Sequence, residues 1–159
     1  MARILVGLDG SETARAAFRE AVREAVWREC AVHAIHVVHY PVVTGHEFGH
    51  VDYEAFQTAG KATLTDELAA LEKEYEGGAF PVEVDSAVLM GHTGVEMLRL
   101  AERGIGATAD ADGEPVDLVV VGSRGLGGFR GLLLGSVTTY LTHHLAGPLL
   151  IVPDRRDGE

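Results

Sequence analysis

The stretch Val119 to Gly125 (VVVGSRG), together with the later Gly135-Ser136-Val137, organises the predicted fold. The three valines predict a strand that is buried on both faces, and Gly122 ends it. A glycine-rich segment then leads to Gly135-Ser136, where a helical pattern begins. Glycine allows sharp turns and close approach of a ligand, and the N–H groups at a helix start attract anions. We therefore predict that this loop holds the phosphates of a nucleotide.

Length and composition indicate one compact domain with a substantial core. The chain has 159 residues, of which 47% are hydrophobic, and we place the domain at residues 1–153 and a charged tail at 154–159. No apolar run approaches the roughly 20 residues of a membrane span, and the N-terminus leads directly into a strand pattern. We therefore expect a cytoplasmic protein without a membrane partner. Cys30 is the only cysteine, which excludes an internal disulfide and a cysteine metal cluster.

The chain is strongly acidic, with a net charge of −11 at pH 7. This balance argues against DNA or RNA as a general partner, because phosphate backbones attract basic surfaces. It leaves open the binding of a nucleotide in a local pocket, where a few backbone groups and side chains decide the electrostatics.

Apolar runs and helical spacings alternate along the chain. Strands are predicted at 4–8, 32–39, 81–88, 117–122 and 149–152, and helices at 12–30, 52–75, 95–103 and 136–145. This alternation predicts an α/β fold with a doubly wound, five-stranded parallel sheet and helices on both faces. Ligands bind such sheets beyond the carboxyl ends of the strands, so Asp9, the 36–39 end, Gly91 and Gly122 should share one rim. We expect 81–88 to be an edge strand and 104–115 a flexible loop.

The glycine-rich loop matches neither of the two common nucleotide motifs. A Walker A motif requires a lysine, and the stretch from Gly122 to Ser136 contains none. The dinucleotide fingerprint also fails, because its third glycine position, counted from Gly125, falls on Arg130, and because this loop follows the fourth strand. On composition alone, phosphate binding and a surface loop rich in turns remain equally open.

The spacing Gly122-x2-Gly125-x9-Gly135-Ser136 resembles the nucleotide-binding signature of the universal stress protein family, Gly-x2-Gly-x9-Gly-Ser/Thr. Asp9 after the first strand, His36-Val37 late in the second and the Pro148–Val152 ending agree with the family pattern, so the resemblance covers essentially the whole chain. It implies one universal-stress-type domain with an adenine nucleotide alpha hydrolase-like, Rossmann-like fold. The acidic segment 104–115 departs from the family's usual compact turn.

The resemblance further implies an adenine nucleotide site, as in the ATP-binding branch of the family. Adenine would lie against the backbone of Val37. Asp9 would approach the ribose or a Mg²⁺ or Mn²⁺ ion on the phosphates, although from the residues alone it could equally cap the first helix. Backbone N–H groups at the start of the last helix would hold the phosphates. The complete set implied is Gly7, Leu8, Asp9, Val37, Met90, Gly122, Ser123, Arg124, Gly125, Gly135, Ser136, Val137 and Thr138.

Ligand, assembly and activity follow from the same resemblance. It implies ATP, or AMP or ADP, as the ligand, and a role in stress response or regulation. It also implies a homodimer through the 149–152 strand, whose open edge would otherwise be prone to aggregation. No residue of the loop has the character of a base that activates water beside the phosphates, so we lean against an enzyme and expect at most slow ATP hydrolysis.

One motif points to a different class of protein. The sequence His46-Glu47-Phe48-Gly49-His50 matches His-Glu-x-x-His, in which two histidines bind zinc and the glutamate acts as a base. Gly45 and Gly49 interrupt the helix that this chemistry needs, and no third ligand follows at a known spacing. A zinc hydrolase therefore remains one alternative, and an interaction module that binds no nucleotide is the other.

Overall fold

The computed structural model describes residues 2–39, 52–126 and 133–153. The motif at 46–50 and the tail at 154–159 lie outside these residues. The strands are β1 (Arg3–Gly7), β2 (Ala31–Val38), β3 (Val84–Met90), β4 (Val116–Gly122) and β5 (Leu149–Val152), and the helices are α1 (Glu12–Arg28), α2 (Tyr53–Glu72), α3 (Thr93–Arg103) and α4 (Ser136–His144). None of these described helices is long and apolar enough to cross a membrane.

The five strands form one parallel sheet in the order β3-β2-β1-β4-β5, which confirms the predicted doubly wound α/β fold. The order reverses between β1 and β4, because the chain extends the sheet first on one side of β1 and then on the other. In such sheets the carboxyl ends of the strands next to this reversal part to leave a crevice.

Two hydrophobic cores cover the two faces of the sheet. Alternate residues of β4 point to opposite faces: Val120 packs with α1 and α2, whereas Val119 and Val121 pack with α3 and α4. All three valines are at most 5% exposed. This explains why the central strands are apolar throughout rather than alternating in polarity.

Helix α1 begins where the sequence predicts. The Ser11 hydroxyl accepts a hydrogen bond from the Ala14 N–H at 3.1 Å and caps the helix. Ala17, Phe18 and Ala21 follow at helical spacing and are fully buried against the sheet. The chain leaves the helix through Glu29 in the left-handed conformation, with φ 53°.

Two predicted boundaries around β3 are wrong. The strand spans Val84–Met90, not 81–88, although it is the predicted edge strand. Phe80 and Val82 supply the apolar signal before the strand because they pack into the core beneath α1 and α2, and Phe80 meets the Phe18 ring at 5.3 Å. Helix α2 ends at Glu72 and is followed by a short 3-10 turn at Glu76–Gly78.

The segment 104–115, which was predicted to be a flexible loop, is closed by backbone hydrogen bonds into a hairpin. Ile105 and Glu114 form an antiparallel bridge, with both N–H···O distances at 2.8 Å. The Arg3 guanidinium forms an ion pair with the Glu114 carboxylate and a second one with Asp85 at 2.8 Å. These contacts anchor the hairpin to the amino end of the sheet, opposite the rim at which the functional residues were predicted.

Candidate functional site

A cavity of about 500 Å³ opens at the carboxyl ends of the strands, beside the reversal between β1 and β4. Its volume lies in the range of small-molecule pockets. Residues from β1, β2 and β4 and from the starts of α3 and α4 form its wall. The wall consists of Gly7, Leu8, Asp9, Ala14, His36, Val37, His39, Thr93, Met97, Val121, Gly122, Arg124, Gly125, Leu126, Leu134, Gly135, Ser136, Val137 and Thr138.

The wall contains all of the predicted site residues except Met90 and Ser123. Met90 ends β3 at the sheet edge, two strands away from β1. The Ser123 backbone is engaged elsewhere, because its N–H donates to the Val152 carbonyl and its own carbonyl accepts from the Gly135 N–H, both at 2.7 Å. Ser123 therefore joins β5 to the start of α4 from behind the cavity wall.

Several wall residues were not among the predicted site residues. His39 and Thr93 meet at the mouth, with 3.3 Å between His39 Nε2 and Thr93 Oγ1. Met97 lies one turn further along α3, is fully buried, and would contact a side chain added at Gly7. The sequence did contain a signal for the α3 residues. Because α3 directly follows β3, its first residues must lie near the carboxyl ends of the strands, where the cavity opens.

Asp9 connects the end of β1 to the glycine-rich loop. Its Oδ1 accepts the Ser11 N–H at 2.9 Å, and its Oδ2 accepts the Leu126 N–H at 3.2 Å. A Cβ atom at Gly125 would lie only 2.6 Å from Oδ2, so glycine is needed for this approach. Ser11, not Asp9, provides the side-chain cap of α1, and Asp9 instead fixes the loop against the strand.

The start of α4 lines the cavity, and within the described chain no side chain caps it. Gly135 is the N-cap and has no side chain to cap the helix, so the N–H groups of Ser136, Val137 and Thr138 have no partner within it. The Thr138 hydroxyl donates to the Gly122 carbonyl at 2.8 Å and ties the helix to the end of β4. The Gly135 N–H does not belong to these donors, because it already donates to the Ser123 carbonyl at 2.7 Å.

Leu8 is held on the opposite side of the cavity by β2. Its N–H donates to the Ile35 carbonyl at 2.8 Å, and its carbonyl faces His36 Nδ1 at 2.8 Å. A carbonyl only accepts, so His36 Nδ1 carries the proton and donates. These two bonds extend the pairing of β1 and β2 beyond Gly7 and fix the backbone beside Val37.

Among residues 2–39, 52–126 and 133–153, no three His, Cys, Asp or Glu side chains cluster as metal ligands. The wall offers Asp9 as a carboxylate, and both of its oxygens already accept backbone N–H groups. A divalent ion here would therefore take most of its ligands from a bound phosphate and water, as Mg²⁺ commonly does.

A buried carboxylate, Glu67 of α2, pairs with Arg15 of α1, with 3.4 Å between Glu67 Oε1 and Arg15 Nε. Burial raises its pKa, more than the Arg15 guanidinium lowers it, and the Asp9 charge raises it further. A raised folded-state pKa stabilises the protein below the unfolded value of about 4.3, and this stabilisation is lost as the pH rises through the folded pKa.

Replacing Glu67 with glutamine should therefore change stability in a pH-dependent way. The glutamine cannot ionise, so the melting temperature of the variant minus that of the wild type should rise as the pH increases from about 4 to about 8. Each kcal/mol by which ionisation of Glu67 destabilises the wild type corresponds to roughly 2–4 °C in the melting-temperature difference. Calorimetric melting of both proteins checks this, and a difference that is flat or falls with pH would contradict the raised pKa.

Comparisons with known proteins agree with this architecture. A family model described as the universal stress protein family matches residues 1–153, and the chain therefore belongs to that family. Among curated relatives, it is 31% identical over 166 residues to universal stress protein Rv1996 of Mycobacterium tuberculosis, covering 95% of this chain and 48% of the relative. The chain spans about half the length of the curated relatives it matches.

Solved structures of the family share the fold. Universal stress protein UspA from Lactobacillus plantarum superposes with a TM-score of 0.75 at 22% identity, covering 95% of this chain and 97% of that one. A universal stress protein in complex with cAMP gives 0.58 at 22% identity, covering 95% and 96%. One from Archaeoglobus fulgidus in complex with dAMP gives 0.54 at 17% identity, covering 96% and 98%.

Proposed function

We propose that the cavity binds an adenine nucleotide, with ATP as the first candidate, and that the protein serves in stress response or regulation. The observation that carries the proposal is the start of α4, where no side chain caps the helix within the described chain and where Ser136, Val137 and Thr138 line the cavity. Helix-start amides bind phosphate oxygens well, and the helix dipole adds to this attraction. Two structural neighbours are complexes with cAMP and with dAMP, which makes an adenine nucleotide the preferred class of ligand.

The shape of the cavity suggests how the nucleotide lies. The phosphates bind at the start of α4, where Gly125 and the Arg124 backbone form the adjacent wall. Adenine lies at the other end, against the backbone of Val37 and between apolar side chains such as Met97. The ribose then passes Asp9 and Gly122, where the missing side chain of glycine leaves room for a close approach.

A Mg²⁺ or Mn²⁺ ion would accompany the phosphates and contact the protein mainly through Asp9. Among the described wall residues, Asp9 is the only carboxylate and both of its oxygens already accept backbone N–H groups, so we propose a binding protein with at most slow hydrolysis. AMP or ADP would fill the same site with fewer phosphate contacts.

We also propose a cytoplasmic homodimer that forms through β5. Its residues Leu149–Val152 are only half-buried, and within the described chain this strand pairs on one side alone, with β4. An apolar edge strand invites pairing with a second copy, which would remove an exposed edge.

Thermal unfolding in the presence of nucleotides tests the proposed function. A ligand at 100 times its Kd stabilises the folded state by about 2.7 kcal/mol, so 1 mM ATP with Mg²⁺ should raise the melting temperature clearly if the Kd is about 10 μM. GTP at the same concentration is the control for non-specific phosphate binding. No shift with any adenine nucleotide would refute the proposal, and stoichiometric zinc in the purified protein would instead support the zinc alternative at 46–50.

A further inference from the structure

Helices α3 and α4 meet closely at Gly94 and Tyr140. A Cβ atom added at Gly94 would lie 2.8 Å from Cδ1, 3.2 Å from Cγ and 3.3 Å from Cβ of Tyr140. Carbon atoms in contact normally lie about 3.5–4.0 Å apart, so a larger residue does not fit here without a shift. Gly94 is buried in the first turn of α3, and its φ is not left-handed. The close approach of Tyr140 therefore explains why this position carries glycine.

The Tyr140 side chain is held in place within α4. Its ring stacks on the His144 ring, with 4.2 Å between the centroids and 21° between the planes. His144 Nδ1 in turn donates to the Tyr140 carbonyl at 2.8 Å, since a carbonyl only accepts. The atoms nearest to Gly94 include Cβ and Cγ of Tyr140, which cannot swing away as the end of a long side chain can. A methyl group added at Gly94 would therefore push the two helices apart.

The residues next to this contact on both helices form part of the cavity wall. On α3, Thr93 precedes Gly94, and Met97 follows it by one helical turn. On α4, Val137 precedes Tyr140 by one turn. Thr93, Met97 and Val137 line the cavity, whereas Gly94 and Tyr140 do not belong to its described wall. Because close-packed helices transmit strain, a shift at the contact would move both sides of the cavity.

We propose that the contact between Gly94 and Tyr140 positions the starts of α3 and α4 and thereby fixes the width of the cavity between them. Tyr140 is the positioning residue, and Gly94 makes room for its ring. A binding site keeps its full affinity only when its walls hold their geometry to within about 0.5 Å. The effect of the contact on affinity rests on the proposed nucleotide function, but its effect on the packing of the two helices does not.

The first test is thermal melting of the ligand-free protein in a double-mutant cycle of Gly94→Ala and Tyr140→Ala. Alanine normally stabilises a helix relative to glycine, yet Gly94→Ala alone should lower the melting temperature by at least about 2 °C, because its Cβ meets the ring. In the Tyr140→Ala background, the nearest atom left at position 140 is Cβ at 3.3 Å, so the same change should leave the melting temperature unchanged or raise it.

The dependence on background is what the proposal requires. No loss with Gly94→Ala in the wild type, or an equal loss in both backgrounds, would overturn the contact, whatever the protein binds. If Gly94→Ala alone does not fold, the double variant should fold, because removal of the Tyr140 ring relieves the clash. Failure of both variants to fold would also overturn the contact.

The second test is ATP affinity, measured by calorimetric titration at a temperature where each variant is folded. Gly94→Ala should bind ATP at least about tenfold more weakly than the wild type, since a displacement of about 1 Å in a site can change its function 100-fold. Tyr140→Ala alone should bind severalfold more weakly, because it loosens the contact. Wild-type affinity in Gly94→Ala, or in Tyr140→Ala should Gly94→Ala not fold, would overturn the link between the contact and the ligand.

Leu71→Ala is the control for destabilisation alone. Leu71 is 1% exposed, packs in the core on the opposite face of the sheet and lies outside the described cavity wall. Its truncation should lower the melting temperature and leave ATP affinity unchanged, and an equal loss of affinity in Leu71→Ala and Gly94→Ala would contradict a specific role of the contact. A wild type that binds no nucleotide would refute the proposed function alone, and the melting temperatures would still decide whether Gly94 and Tyr140 hold the two helices.

Discussion

Replacing Ser136 with aspartate is expected to lower ATP affinity about 100-fold while leaving the fold at least as stable as the wild type. Ser136 is the first residue of α4, is exposed, and lies in the cavity wall. Two like charges about 6 Å apart repel by about 2.8 kcal/mol at an effective dielectric constant of 20, and each 1.4 kcal/mol is a factor of ten in affinity. The same carboxylate should stabilise the helix start by about 0.3–1 kcal/mol.

Ser136→Asp should weaken ATP binding and at the same time stabilise the fold, so a loss of affinity could not be explained by unfolding. Thr139→Asp is the matched control, because it adds the same charge at an exposed position of the same helix but outside the described cavity wall. Calorimetric titration and thermal melting of both variants measure affinity and stability separately. If Ser136→Asp and Thr139→Asp bind ATP equally well, the phosphates do not bind at the start of α4.

Replacing Gly122 with alanine is expected to destabilise the fold by about 1–3 kcal/mol, the usual cost of overpacking a core position. A Cβ atom at Gly122 would lie 2.9 Å from the backbone C and O atoms of Thr13. Thr13 belongs to the buried first turn of α1, and the Gly122 carbonyl accepts the Thr138 hydroxyl, so neither side of the contact yields easily.

Gly147→Ala is the control for replacing a glycine without creating a steric clash, because a Cβ atom at Gly147 would meet nothing within 4 Å. Chemical denaturation of the two variants should show a clear loss for Gly122→Ala and little change for Gly147→Ala. Equal stability of Gly122→Ala and wild type would mean that β4 and α1 are not packed as closely as described.

The sequence predicted the sheet and the position of the cavity because both follow from local patterns. Runs such as Val119 to Val121 are apolar throughout only when both faces of a strand are covered, and their alternation with helices leaves few topologies. The loop was located by the spacing of Gly122, Gly125 and Gly135. Asp9 was predicted to lie near it because the carboxyl ends of parallel strands share one edge of the sheet.

The errors lie where contacts between distant residues decide the structure. Phe80 and Val82 read as strand residues, but they pack into the core before the β3 ladder begins. The hydrogen bond from the Gly135 N–H to the Ser123 carbonyl was also not predicted, because only the fold brings these two groups together. The closure of the segment 104–115 was not predicted, because its bridge and its ion pair with Arg3 leave no periodic signal.

Glu67 shows a signal that sequence reasoning could have used. Its spacing from Leu64 and Leu71 places it on the apolar face of α2, and a charged residue on such a face marks either an error in the helix assignment or a specific role. Only the tertiary structure shows its partner, because Arg15 lies far away along the chain.

The most direct test of nucleotide binding at this cavity is an NMR titration of the ¹⁵N-labelled protein with ATP and Mg²⁺. We predict saturable shifts that fit one binding isotherm and are largest for the amides of Ser136, Val137 and Thr138, with Val37 following at the other end of the cavity. The hairpin at 104–115 should remain unshifted, because it lies at the opposite end of the sheet. No shifts at millimolar ATP, or shifts confined to residues outside the cavity wall, would contradict nucleotide binding at this site.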